Sequence, residues 1–157
     1  RFLFGWQNEN SINNAVLRAP PGSPLMQDLI DFYLSAVPIP PWAKLSKRIR
    51  FMLLAAVGRA KAKEDLEWGT FGPRALTYFA EKHGLSDLAA PISAFYPVPF
   101  KQADMILAAG DQVASCLTDS SVGVHVWGKA LRSRIQCGDF ADDSWFALQC
   151  RRLGVSA

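Results

Sequence analysis

Val122-Gly123-Val124-His125-Val126-Trp127 packs three valines and an aromatic residue into six positions, which is the strongest strand signature in the second half of the chain. Alternation in a strand sends Val122, Val124 and Val126 to one side and Gly123, His125 and Trp127 to the other. The spacing therefore predicts that His125 and Trp127 face the same way. Helical spacing follows on its C-terminal side, over about 129–136 up to Gly138 and over about 143–152 up to Gly154. On its N-terminal side, Ala94-Phe95-Tyr96-Pro97-Val98 reads as a short strand that Pro97 confines to an edge or a strand end.

Phe2 to Trp6 and Ile12 to Leu17 read as two extended pieces with a polar break over Gln7-Asn8-Glu9-Asn10-Ser11 between them. Ser23 as N-cap and Pro24 at the first helical position predict a helix over about 24–36, with Leu25, Leu29, Ile30 and Tyr33 at helical spacing. Ser46 caps a second predicted helix, basic and amphipathic, running to about Lys63 with Ile49, Met52, Leu53, Ala56 and Val57 as its buried stripe. Gly72-Pro73 opens a third, through about His83, with Leu76, Phe79 and Ala80 inward. The expected class is α/β, more narrowly an α+β fragment that is mainly helical with a few short strands.

Apolar residues make up 50% and charged residues 20% of the 157, so the chain folds, and its length suits one domain or part of one. A net charge of +3 is too mild for a dedicated nucleic-acid surface unless it is concentrated. It is concentrated at Lys44 to Arg50 and at Arg132-Ser133-Arg134, either as solvated helix faces or as contacts for anionic lipid head groups or a diphosphate. Cys116, Cys137 and Cys150 form no Cys-x-x-Cys pair, which argues against a disulfide framework or a structural zinc site and suits a reducing compartment. Phe51 to Val57, the longest apolar run, is far short of the roughly 20 residues that span a bilayer. Arg1 runs straight into Phe2-Leu3-Phe4, as though a larger protein had been cut inside a strand, and a single C-terminal portion over 1–157 is the expected organisation.

Gly-rich phosphate loops, a G-x-S-x-G elbow and an H-E-x-x-H pair are missing, and so is an Asp-x-Asp pair able to hold a divalent cation against a diphosphate. What remains is an ordered set of short motifs. Ile12-Asn13-Asn14-Ala15-Val16-Leu17, a Pro-capped helix, Trp68-Gly69-Thr70-Phe71-Gly72-Pro73-Arg74-Ala75-Leu76-Thr77, Phe95-Tyr96-Pro97-Val98 and His125-Val126-Trp127 follow one another along the chain. This order resembles the α-1,4-glycosyltransferase conserved region of the globotriaosylceramide synthase and α-1,4-N-acetylglucosaminyltransferase group and its bacterial relatives.

The resemblance implies the C-terminal, acceptor-side part of a GT-A enzyme that moves a hexose, galactose or N-acetylglucosamine being typical, from a nucleotide diphosphate sugar to a glycan or glycolipid hydroxyl. It implies Mn²⁺ or Mg²⁺, with the main carboxylate ligands upstream of this chain, and retention of configuration. His125 would then help hold the metal and diphosphate, or is a half-buried histidine bonded to backbone. Trp127 would stack on a sugar or nucleotide ring, or belong to the core. Gly72 and Pro73 would offer helix N-terminal N–H groups to sugar or phosphate oxygens, or only start a helix. Asn13 and Asn14 would bond a donor sugar, or satisfy a turn. Glu9 and Gln7, in the polar break, are candidates for the side-chain oxygen that faces the reacting sugar carbon. Peripheral membrane contact, a cytoplasmic setting in bacteria or a Golgi lumen in eukaryotes, and no nucleic-acid partner complete the expectation. Its rivals are a non-catalytic carbohydrate-binding or membrane-peripheral module and a nucleic-acid binder built on the basic helices.

Overall fold

The computed structural model describes residues 1–155. The fold is mixed α+β and mostly helical, with six helices and one two-stranded sheet among the described residues. The chain divides into two compact units, Arg1–Ala90 and Pro91–Ala157.

In the first unit, β1 (Leu3–Asn8) and β2 (Ser11–Arg18) form an antiparallel hairpin. The polar break is shorter than the sequence suggests. Gln7 and Asn8 still belong to β1, and only Glu9-Asn10 turn, with Asn8 Oδ1 accepting the Asn10 N–H at 2.9 Å. Ala90 covers the free edge of β1, donating to Phe4 O at 2.8 Å and accepting from Trp6 N–H at 3.0 Å.

Helix α1 (Pro24–Leu34) starts as its sequence dictates: Ser23 Oγ accepts the Met26 N–H at 3.3 Å and Pro24 fills the first turn. Its inward face matches the helical spacing only in part. Leu25, Leu29 and Phe32 pack on the core, whereas Ile30 and Tyr33 are exposed. Helix α3 (Pro73–Lys82) buries Leu76, Phe79 and Ala80 as expected, joining Phe4, Ile12, Leu25 and Ala75 in one apolar cluster. Each large side chain fully buried there stabilises the unit by about 1.5–3 kcal/mol relative to exposure. Asp28 of α1 accepts from Lys82 at 2.6 Å and His83 at 2.8 Å, and Lys82 foremost holds its carboxyl below the ordinary range.

Helix α2 (Leu45–Ala56) differs most from expectation. It is shorter, Ser46 lies inside its first turn rather than capping it, and the presumed buried stripe of Ile49, Met52, Leu53, Ala56 and Val57 faces water. Phe51 on the other side is the residue it buries.

The second unit holds α4 (Ile92–Phe95), two short 3₁₀ turns, α5 (Gly128–Gln136) and α6 (Trp145–Leu153) around Val98, Ile106, Leu107, Val113 and Leu131. Ser144 caps α6 through the Ala147 N–H, and Gly154 closes it at φ +66°. Two predicted strands are not strands. Residues 92–95 close a single helical turn, and 122–127 run alongside without a ladder, donating to Ala94 O from Val122 and Gly123 and to Phe95 O from His125. Lacking regular pairing, the valines do not alternate: Val124 and Val126 pack on the core while Val122 is exposed.

Candidate functional site

Each unit brings together motifs that are far apart in sequence. In the first, the asparagine motif of β2 meets the Trp68 to Thr77 motif at the start of α3. The joint is a buried relay: Ile12 N–H donates to Thr77 Oγ1 at 2.9 Å, and that hydroxyl donates to Pro73 O at 2.7 Å. A hydroxyl four residues into a helix commonly bonds back to the carbonyl one turn earlier, and here its lone pair also serves a strand. The sequence reading places Thr77 only as the last residue of the Trp68 to Thr77 motif and gives it no role of its own. Its position one turn after Pro73 is the local signal for this one.

Above this relay the two asparagines separate in function. Asn13 is buried, donates to Gln7 Oε1 at 2.6 Å, and accepts the Ala15 N–H at 2.8 Å. Gln7 donates in turn to Ser11 Oγ at 3.0 Å. Gln7 and Asn13 therefore spend their amides holding the hairpin, and Glu9 stands exposed at its tip.

Asn14 is exposed and lies against Gly72, where a Cβ would come within 3.3 Å of its amide oxygen. A side chain at position 72 would therefore press on the Asn14 amide, which glycine leaves in place. Asn14, Trp68, Gly69, Thr70 and Gly72 line a cleft of about 430 Å³. Its chemistry is an amide that both donates and accepts, an exposed indole at Trp68, backbone, and one side chain of each charge at Lys63 and Glu67. The expected free N–H groups at the helix start are not free: Gly72 and Arg74 both donate to Gly69 O at 3.1 Å, and Pro73 has none. The start of α3 thus gives the cleft no free N–H from Gly72 or Arg74, and its polar chemistry comes from the Asn14 amide and the Lys63 and Glu67 side chains beside the Trp68 ring.

Glu67 sits at the cleft edge, with Lys47 at 2.5 Å and Arg74 bonded to its other oxygen. Lys47 first, and Arg74 with it, hold its carboxyl down to about 2. It is a permanent anion tying α2, the loop and α3, and not an acid-base group at neutral pH.

In the second unit the Phe95 to Val98 motif meets the His125 to Trp127 motif. His125 and Trp127 do pack together, at 4.4 Å between ring centroids, and both lie against the buried Tyr96 ring at 5.3 and 5.9 Å. Trp127 adopts φ +50°, the one positive φ outside glycine among the described residues. A bulky residue there is strained. It donates two bonds, indole Nε1–H to Val98 O at 2.8 Å and backbone N–H to His125 Nδ1 at 3.1 Å, and its carbonyl accepts from Ala130 at 2.8 Å and Leu131 at 3.3 Å as α5 begins. With Nδ1 accepting, the neutral imidazole carries its proton on Nε2 and offers a donor rather than a metal lone pair. Burial lowers its proton affinity and keeps it neutral. Of the basic cluster nearby, Arg134 is engaged by Asp139 at 2.7 Å and Asp104 at 2.8 Å.

No group of three or more His, Cys, Asp or Glu side chains among the described residues is arranged to hold a metal ion. The described residues thus do not by themselves fit the Mn²⁺ or Mg²⁺ that the resemblance implies. No helix among the described residues is long and apolar enough to cross a membrane. Compared with known proteins, the chain matches no family model, no curated protein and no solved structure.

Proposed function

We propose that this chain is the acceptor-side part of a GT-A glycosyltransferase that transfers a hexose from a nucleotide diphosphate sugar to a glycan or glycolipid hydroxyl. The observation that carries the reading is the meeting of motifs. The asparagine and Trp68 to Thr77 motifs share the Ile12–Thr77–Pro73 relay and the Asn14–Gly72 contact, and the Phe95 to Val98 and His125 to Trp127 motifs share one aromatic cluster. The cleft at Asn14 suits a hexose, whose hydroxyls pair with an amide and whose C–H face stacks on an indole. Asn14, Gly72 and Pro73 shape this sugar site, with Asn13 and Gln7 bracing it from behind. His125 serves as an Nε2–H donor toward a sugar or phosphate oxygen. The divalent cation belongs to carboxylates outside this chain. A cytoplasmic or Golgi setting follows from the same reading.

The rival with support of its own is a non-catalytic carbohydrate-binding module, because the exposed Trp68 beside Asn14 serves binding as well as transfer. Nucleotide-sugar hydrolysis by the full-length protein, with and without Mn²⁺, separates the two. The transferase reading expects Mn²⁺-stimulated hydrolysis that Asn14→Ala lowers at least tenfold and Glu9→Gln leaves unchanged. Hexose binding that Asn14→Ala abolishes, with no hydrolysis under either condition, assigns the cleft to the binding module.

A further inference from the structure

Helix α2 presents its apolar residues to water. Leu45, Ile49, Met52, Leu53 and Val57 are 67%, 44%, 49%, 63% and 69% exposed, and their spacing puts them on one continuous face. Phe51 anchors the opposite face and is 8% exposed. Helices of globular proteins bury such a stripe, and a contiguous exposed one marks a surface that something covers.

The charges around the stripe say what covers it. At 3.6 residues per turn Arg48 falls on one flank of the stripe and Arg50 on the other. Neither makes an ion pair among the described residues. From Lys44 to Lys63 the chain carries seven basic side chains, at 44, 47, 48, 50, 59, 61 and 63, and no Asp or Glu. A second copy of this helix would bring arginines against arginines along both flanks, which disfavours self-association. A 12-residue helix reaches only about 18 Å, too short to span the roughly 30 Å of hydrocarbon. An apolar stripe with cations on both borders matches the boundary of an anionic bilayer, with acyl chains below and lipid phosphates at the level of the arginines.

We propose that α2 is an in-plane membrane-docking helix that lays Leu45, Ile49, Met52, Leu53 and Val57 into the head-group boundary of an anionic phospholipid bilayer, with Arg48 and Arg50 on its phosphates. The inference is independent of whether the cleft at Asn14 holds a sugar.

Co-sedimentation of the chain with vesicles tests it, using phosphatidylcholine alone and phosphatidylcholine mixed with phosphatidylglycerol. Binding to the mixed vesicles is expected to exceed binding to neutral ones at least tenfold and to weaken with added salt. Ile49→Glu and Leu53→Glu, at exposed positions and checked for unchanged circular dichroism, each lower it at least tenfold. Leu53→Ser, which adds no charge, lowers it as well, so the loss is not only electrostatic. Arg48→Ser and Arg50→Ser each lower it about fivefold, the worth of one basic residue at an anionic surface. Equal binding to neutral and anionic vesicles, binding unchanged in both Glu variants, or no vesicle binding would overturn the proposal. Absence of vesicle binding together with a dimer that Leu53→Glu dissolves would assign the stripe to a second copy instead.

Discussion

The two places where separated motifs meet are built in opposite ways. The corner at Ile12, Asn14 and Gly72 rests on a strand and a helix start joined by buried hydrogen bonds, one of which spans 65 residues of sequence. The corner at His125 and Trp127 is an irregular segment held by ring packing, three backbone bonds to residues 94 and 95, and one strained residue. Regular elements fix the first so that an exposed amide can be presented at a defined place. The second holds its histidine through a local bond that depends on the histidine's own protonation. One is a platform, and the other has a chemical switch in its support.

Thr77→Val tests the platform most severely. The substitution keeps the shape but removes both the acceptor for the buried Ile12 N–H and the donor to Pro73 O. An unsatisfied buried amide costs about 1–3 kcal/mol, so the urea midpoint is expected to fall accordingly, with Thr77→Ser recovering most of the loss. Unchanged stability in Thr77→Val would mean that the relay is not what joins the hairpin to α3.

Much of this platform was legible in the sequence, because its signals are local. Ser23-Pro24 and Gly72-Pro73 start helices for reasons that neighbouring residues supply, and the inward face of α3 follows from spacing alone. The errors arose where tertiary context decides. Valine-rich 122–127 has strand propensity but found no strand to pair with, since Ile92–Phe95 closes a helical turn beside it. The stripe on α2 has the periodicity of a buried face, yet periodicity does not say which side meets the protein. Thr77 was illegible as a linchpin, because the 65-residue separation of its bond leaves no mark in the local pattern.

Gly72→Ala is a milder probe of the platform's upper surface. The new Cβ lies 3.3 Å from an amide oxygen on an exposed side chain, which can move aside. Stability is expected to change by less than about 1 kcal/mol, in the range of ordinary substitutions. The Asn14 side-chain amide resonances should nevertheless shift, and under the proposed function hexose binding should weaken as in Asn14→Ala. Resonances that stay in place would detach Gly72 from the presentation of Asn14.

Acid probes the second corner, and its effect on stability is the smallest because the ring is only half-buried. Burial holds the proton affinity of native His125 below its ordinary value of 6.5. In the unfolded chain the ring titrates at that ordinary value, so as pH falls through about 6.5 the unfolded state takes up the proton first. Stability is therefore complete above that pH and declines between it and the lowered native value. The bond to Trp127 sharpens the consequence: a protonated Nδ1 is a donor and no longer accepts the Trp127 N–H. Losing that bond removes one of the two hydrogen bonds donated by a residue at φ +50°, and the corner should loosen before the rest of the unit. Imidazole ¹⁵N spectra across pH check this directly, and the expected pattern is an Nε2–H tautomer with a midpoint below 6.5, at which the Trp127 amide shift moves in step. A midpoint at or above 6.5, or an Nδ1–H tautomer at neutral pH, would remove the switch and leave two rigid corners.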